Sequence, residues 1–156
     1  MSNAAQVPTT TTQVYRVYIK ATPEAIWDAI TKPEFTQRYF YGSRADYELR
    51  PGGALRSYAG DSDTLLVDGE FVEVDAPRKL VHTWRALYDP DLAAEEPSRV
   101  TWEIEPQDGG YSKLTVVHDR LEGAPKTAES VSGEGWMMVL SGMKTLLETG
   151  EPLASS

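Results

Sequence analysis

The spacing of apolar residues changes along the chain, and each change outlines an element. Val14-Tyr-Arg-Val-Tyr-Ile19 is rich in β-branched and aromatic residues, which predicts a first strand. Thr22-Pro23-Glu24 then supplies a helix start. It offers a capping hydroxyl, a proline suited to the first helical position and a carboxylate at the positive end of the dipole. Ile26, Trp27 and Ile30 recur at helical spacing, so residues 23–31 are expected to be a short helix. Lys32-Pro33-Glu34 restarts a second, with Phe35, Tyr39 and Phe40 as its apolar side and Gly42 as its stop.

From about Asp46 to Asp119 the period becomes two. Strands are expected at Tyr47–Arg50, Ala54–Ala59, Leu65–Val74, Leu80–Leu87, Val100–Glu105 and Leu114–His118. Short turns such as Pro51-Gly52-Gly53 and Gln107-Asp-Gly-Gly110 join them, the mark of an antiparallel meander. Parity puts Val100, Trp102 and Ile104 on one face, as it does Leu80, His82 and Trp84, and Leu114, Val116 and His118. Tyr88 to Pro97 is different: long, acidic and proline-containing, a surface loop positioned to cover something. Helical spacing returns at the end, where Trp136, Val139, Leu140, Met143 and Leu147 form one stripe that Leu146 widens. Gly133 and Gly135 loosen the start of this helix, and Gly150 followed by Pro152 stops it.

The order is therefore a strand, two short helices, several antiparallel strands and one long helix. A twisted sheet with one apolar face must cover that face, and only the last helix is long enough. Side chains alone often fail to fill the space between a curved sheet and one helix. The remainder is an apolar cavity, the usual form of a small-molecule site.

Composition narrows the partners. The chain has 156 residues, the size of one domain, and no Cys, so it has neither disulfides nor a thiolate site. That fits a reducing cytosol, and a cytoplasmic location is the expectation. The net charge is −9, with no Lys/Arg cluster, which argues against nucleic acid and anionic membranes as partners. No apolar run reaches the length of a membrane span. Residues 1–12 are polar and Thr-rich, without the basic start and apolar core of a signal peptide. They are expected to be a disordered leader, residues 13–150 one domain, and residues 151–156 a disordered tail.

Several stretches together resemble a known family. They are Thr22-Pro-Glu-Ala-Ile-Trp-Asp-Ala-Ile30, Lys32-Pro33-Glu34, Arg50-Pro-Gly-Gly53, Gly69-Glu-Phe-Val-Glu-Val-Asp-Ala-Pro77, Lys79-Leu-Val-His-Thr-Trp84, Leu114-Thr-Val-Val-His118 and Gly135-Trp136. In this order and spacing they resemble the START-like (SRPBCC, helix-grip) superfamily, and within it the homologues of the activator of the heat-shock protein 90 ATPase. The resemblance covers residues 14–149. It implies an α+β fold, a curved six- to seven-stranded antiparallel sheet wrapped around a long C-terminal helix, with a pocket between them. Tyr39-Phe40 stands where relatives often carry a Trp, and the acidic 88–97 loop is a further departure.

Binding of an apolar or aromatic small molecule, lipid-like or polyketide-like, is the function expected first. The candidate ligand-binding residues are Trp84, Trp102, His118, Trp136, Leu140 and Met143, with His82, Phe40 and Tyr58. The tryptophans would form an aromatic wall, though each would serve equally as plain core. Tyr39, Phe40 and Tyr41 are expected to close one end, and Met137 and Met138 to border the mouth or a partner. His82 and His118, the only histidines, are candidates for polar anchors or a general acid/base. Their plain alternative is a pair of semi-buried imidazoles bonded to neighbours, because buried polar groups need partners.

Two histidines without further ligands at metal spacing make no metal site, and no catalytic residue and no cofactor are expected. Glu95-Glu96 and Asp61/Asp63 read as solvated loop charges. The alternatives are a cyclase/aromatase- or hydrolase-like enzyme, in which His82, His118 and Tyr58 would converge, and a chaperone-associated interaction module. The chain is expected to be a monomer or homodimer.

Overall fold

A computed structural model describes residues 11–154. The leader expected over residues 1–12 thus lies almost wholly outside the described residues, as do the last two residues of the tail. The elements are β1 (Gln13–Ile19), α1 (Pro23–Thr31), α2 (Pro33–Tyr39), β2 (Ser43–Tyr47), β3 (Ala54–Ala59), β4 (Leu65–Asp75) and β5 (Lys79–Ala86). They continue with α3 (Pro90–Ala93), β6 (Ser98–Gln107), β7 (Tyr111–Asp119), α4 (Pro125–Ser130), a π-helical turn (Val131–Gly135) and α5 (Trp136–Thr149).

The strands form one seven-stranded sheet in the order β1-β7-β6-β5-β4-β3-β2, and every neighbouring pair is antiparallel. This is the α+β helix-grip arrangement that the resemblance implies. Strand parity is as expected: Leu80, Val100, Leu114, Val116 and His118 are fully buried on the face toward the helices, and Trp102 and Ile104 nearly so. Local signals act where the sequence places them. Thr22 Oγ1 accepts the Ala25 N–H at 3.1 Å, and Pro23 opens α1. At the β6–β7 hairpin, Gly109 and Gly110 take φ of 110° and 87°, which a side chain would oppose.

Four features differ from expectation. The strand expected at Tyr47–Arg50 lies earlier, at Ser43–Tyr47, because the chain turns at 48–53, where Glu48 Oε1 accepts the Ala54 N–H at 2.9 Å. The 88–97 loop contains the one-turn helix α3, capped by Asp89, and buries Leu92. The terminal helix is longer than its apolar stripe. It is preceded by α4 and the π turn, in which the Trp136 N–H donates to the Val131 carbonyl five residues back. Glu95 is not a solvated charge: its carboxylate accepts the Lys126 N–H, the Thr127 N–H and the Thr127 hydroxyl at 2.7–2.8 Å, capping α4.

The core is continuous from α1 across the sheet to α5. Along its second half α5 sits tight. Gly142 lies where a Cβ would meet Tyr39 Cβ at 3.2 Å, and Met143 and Leu146 are buried. The cavity lies against the first half of α5, at Trp136 and Val139.

Candidate functional site

The cavity has a volume of about 500 Å³, within the range of small-molecule sites. Ser57, Leu66, Val67 and Trp84, from β3, β4 and β5, form its floor. Phe40, Tyr41 and Ser43, around the α2–β2 turn, close one side. Val131, Gly135, Trp136 and Val139 form the helical wall. Its rim consists of Tyr41, Tyr88, Ser130 and Glu134, all exposed. A second void of about 20 Å³ lies beneath, between Tyr47, Leu55, His82 and Trp102, with room for one water.

Trp136 is the hub of the inner wall. Its ring meets Trp102 edge-on at 5.3 Å, His118 at 5.9 Å and Phe40 at 6.2 Å. The polar atoms of this wall bond to one another. Trp102 Nε1–H donates to His82 Nε2 at 3.0 Å, and Trp136 Nε1–H donates to His118 Nδ1 at 3.0 Å. An indole nitrogen can only donate, so each of those imidazole nitrogens must accept, and the proton sits on the other one. His82 Nδ1–H then donates to the Thr83 carbonyl at 2.8 Å. His118 Nε2–H donates to Ser98 Oγ at 2.7 Å, and the Ser98 hydroxyl donates to the Trp84 carbonyl at 3.2 Å.

Both tautomers are therefore fixed and both rings are neutral. Burial pushes His82 down to about 4, against a smaller upward pull from the Thr83 carbonyl. Burial, then the nearby His82, push His118 down to about 3 against the weaker attraction of Asp119.

The expected site residues divide accordingly. Phe40, Trp84 and Trp136 line the main cavity. His82 and Trp102 border only the small void beneath it. His118 is fully buried behind Trp84 and Trp136 and does not reach the cavity. Leu140 and Met143 are core, because α5 has closed onto its neighbours by that turn. Tyr58 lies away from the cavity, with the Arg44 guanidinium 4.8 Å above its ring. His82, His118 and Tyr58 therefore do not converge on one point.

Tyr41 lines the cavity as expected of an end-closing group, whereas Tyr39 is buried core and donates its hydroxyl to the Ala29 carbonyl at 2.7 Å. Met137 and Met138 are exposed and lie outside the lining. The expected set lacks Ser57, Leu66, Val67, Val131 and Glu134. Parity can place Val67 but not its neighbour Leu66, which lines the cavity where the β3–β4 register shifts, and Val131 and Glu134 depend on a π turn with no apolar stripe to announce it. Among the described residues no group of three His, Cys, Asp or Glu side chains could hold a metal ion, and no helix is long and apolar enough to cross a membrane.

The arrangement is a sheet gripping a helix over an apolar cavity, the START-like class. The sequence matches the family described as Activator of Hsp90 ATPase homolog 1-like protein over residues 20–148, and the chain belongs to that family. No curated protein matches it in sequence. Among solved structures it is similar to a Mesorhizobium loti protein, at TM-score 0.70 and 23% identity over 88% of this chain and 96% of the other. It is similar to an HSP90 activator from Plasmodium falciparum, at TM-score 0.70 and 23% identity over 91% and 98% of the two chains. It is also similar to CalU16 from Micromonospora echinospora, at TM-score 0.68 and 22% identity over 90% and 76%. At these identities the likenesses establish the fold.

Proposed function

We propose that this protein binds an apolar or aromatic small molecule in the cavity between β3–β5 and the start of α5. The observation that carries the reading is the cavity itself: about 500 Å³, walled mainly by aromatic and aliphatic side chains, and opening at a rim of exposed residues. Saturation of the two histidines supports binding over acid–base catalysis. Neither imidazole has a free nitrogen for a substrate, and both are neutral far below ordinary operating pH.

Two measurements test the reading. Native mass spectrometry of the protein purified from its own host should reveal a co-purifying small molecule. In solution, 2-naphthylmethanol should give saturable amide shifts confined to Ser57, Leu66, Val67, Trp84 and Val139. Leu66→Trp, which fills the cavity, should abolish them while leaving the fold intact. Absence of saturable binding by naphthyl, steroid and fatty-alcohol probes would refute it.

A second reading, contact with an Hsp90-type chaperone, is favoured by the family match. A pull-down with that chaperone decides it.

A further inference from the structure

One charged side chain lines the cavity, Glu134, and it stands at the rim with Tyr41, Tyr88 and Ser130. No Lys or Arg lines any part of the cavity. Glu134 is exposed, and among the described residues it takes part in no ion pair.

Tyr41 is fixed beside Glu134. Its hydroxyl donates to the carbonyl of Gly135, the next residue after Glu134, at 3.3 Å. Its backbone holds φ of 52°, the left-handed region that non-glycine residues rarely adopt and that recurs at functional sites. Three of the rim groups are close enough to sense one another: partial burial first, then Glu134, then Tyr88 push the Tyr41 phenol above its ordinary value. The rim thus brings a free carboxylate and two electron-rich rings to the edge of an apolar chamber.

We propose that the ligand of this cavity is an amphiphilic cation, with an apolar or aromatic body inside and an ammonium-type group at the rim beside Glu134, Tyr41 and Tyr88. The inference rests on the small-molecule reading above and adds the charge of the ligand to it. A carboxylate at the border of a low-dielectric wall attracts a cation more strongly than one in open water does. Aromatic rings attract cations through their quadrupole, and ammonium recognition is a common use of such rings. An anionic ligand such as a fatty acid would meet Glu134 with nothing to neutralise it, and the net charge of −9 would oppose its approach.

The test compares three probes with one body and different heads by titration calorimetry at low ionic strength: 2-naphthylmethylamine, 2-naphthylmethanol and 2-naphthoate. The amine should bind about tenfold tighter than the alcohol, with the naphthoate weakest, from one carboxylate contact plus the rim rings. Glu134→Gln should lower the amine-to-alcohol ratio about threefold, leaving the share of the rim rings. Asp108→Asn removes the same charge at the distant β6–β7 hairpin and should leave the ratio unchanged. If the alcohol binds and the amine binds no better, or if the ratio survives Glu134→Gln, the charge assignment falls and the cavity reading stands. If none of the three binds saturably, the charge assignment falls, and the cavity reading falls with it when the steroid and fatty-alcohol probes fail as well.

Discussion

Mild acid should destabilise this fold through two residues alone. His82 and His118 are neutral in the native state because burial holds them down to about 4 and about 3, whereas in the unfolded chain they return to about 6.5. The folded values lie below the unfolded ones, so the unfolded state takes up protons first as the pH drops. Stability is complete above about 6.5 and is lost as the pH falls toward the folded values. Each histidine has a limiting slope of about 1.4 kcal/mol per pH unit, reached only once its unfolded form is fully protonated. Between about pH 7 and about pH 5 that amounts to about 2 kcal/mol per histidine, or about 4 kcal/mol for the pair. A typical domain has only about 5–15 kcal/mol to lose. The chain has just these two histidines, and side-chain carboxylates ordinarily titrate below this window. Glu95 is no exception: partial burial pushes it up, but the Thr127 hydroxyl and the Lys126 and Thr127 amides bring it below its ordinary value. Urea unfolding at both pH values, with an unchanged m-value, measures the loss. His118→Gln should halve the dependence whatever it does to the baseline. A midpoint that stays flat between the two pH values, or a native imidazole resonance that titrates near 6.5, would refute the reasoning.

Three further outcomes follow from the geometry. Ser98→Ala leaves the buried His118 Nε2–H without an acceptor and should cost about 1–3 kcal/mol in urea unfolding, more than the lost hydroxyl would cost on the surface. Gly69→Ala drives a Cβ into the Thr83 carbonyl across the β4–β5 pairing and should cost about 1–3 kcal/mol, read as a lowered melting temperature. Glu95→Ala removes the cap of α4 and should cost about 0.5–2 kcal/mol, with faster amide exchange concentrated at Lys126 and Thr127 and through the 88–97 loop.

The order of elements and the inward faces of the strands were legible because each rests on a local period. Val100, Trp102 and Ile104 alternate with polar neighbours, and Thr22-Pro23-Glu24 announces a helix, whatever the rest of the chain does. The cavity was legible as an architectural consequence, but not its position. That depends on how α5 packs on its neighbours, and Gly142 lets one of them, Tyr39 of α2, approach closely. The stripe containing Leu140 and Met143 reads the same whether it faces a cavity or packs solid, so sequence placed both in the site and the fold places both in the core. Tyr58 failed for a different reason: on β3 the inward positions are Leu55 and Ser57, so Tyr58 falls on the opposite face, where it meets Arg44. Val131 and Glu134 were missed because Pro125–Gly135 has neither an apolar stripe nor a capping side chain at its own start, and its cap comes from Glu95, a residue distant in sequence.

How the inner wall is satisfied limits how it can select a guest. Buried indole and imidazole groups would ordinarily offer a ligand hydrogen bonds, yet here the Trp102–His82 and Trp136–His118 pairs use both imidazole nitrogens and both indole donors on the protein itself. Breaking any of these bonds to reach a guest would leave a buried partner unpaired, at about 1–3 kcal/mol, and would return one bond of similar strength. These tryptophan–histidine pairs can therefore discriminate by shape and aromatic contact but hardly by polarity. Discrimination by polarity must come from groups not already committed, and of the charged side chains that line the cavity only Glu134 at the rim is one. A pocket built this way accepts a varied apolar body and reads its head group at the rim, so substitutions inside should change which bodies fit while substitutions at the rim change which charges are accepted.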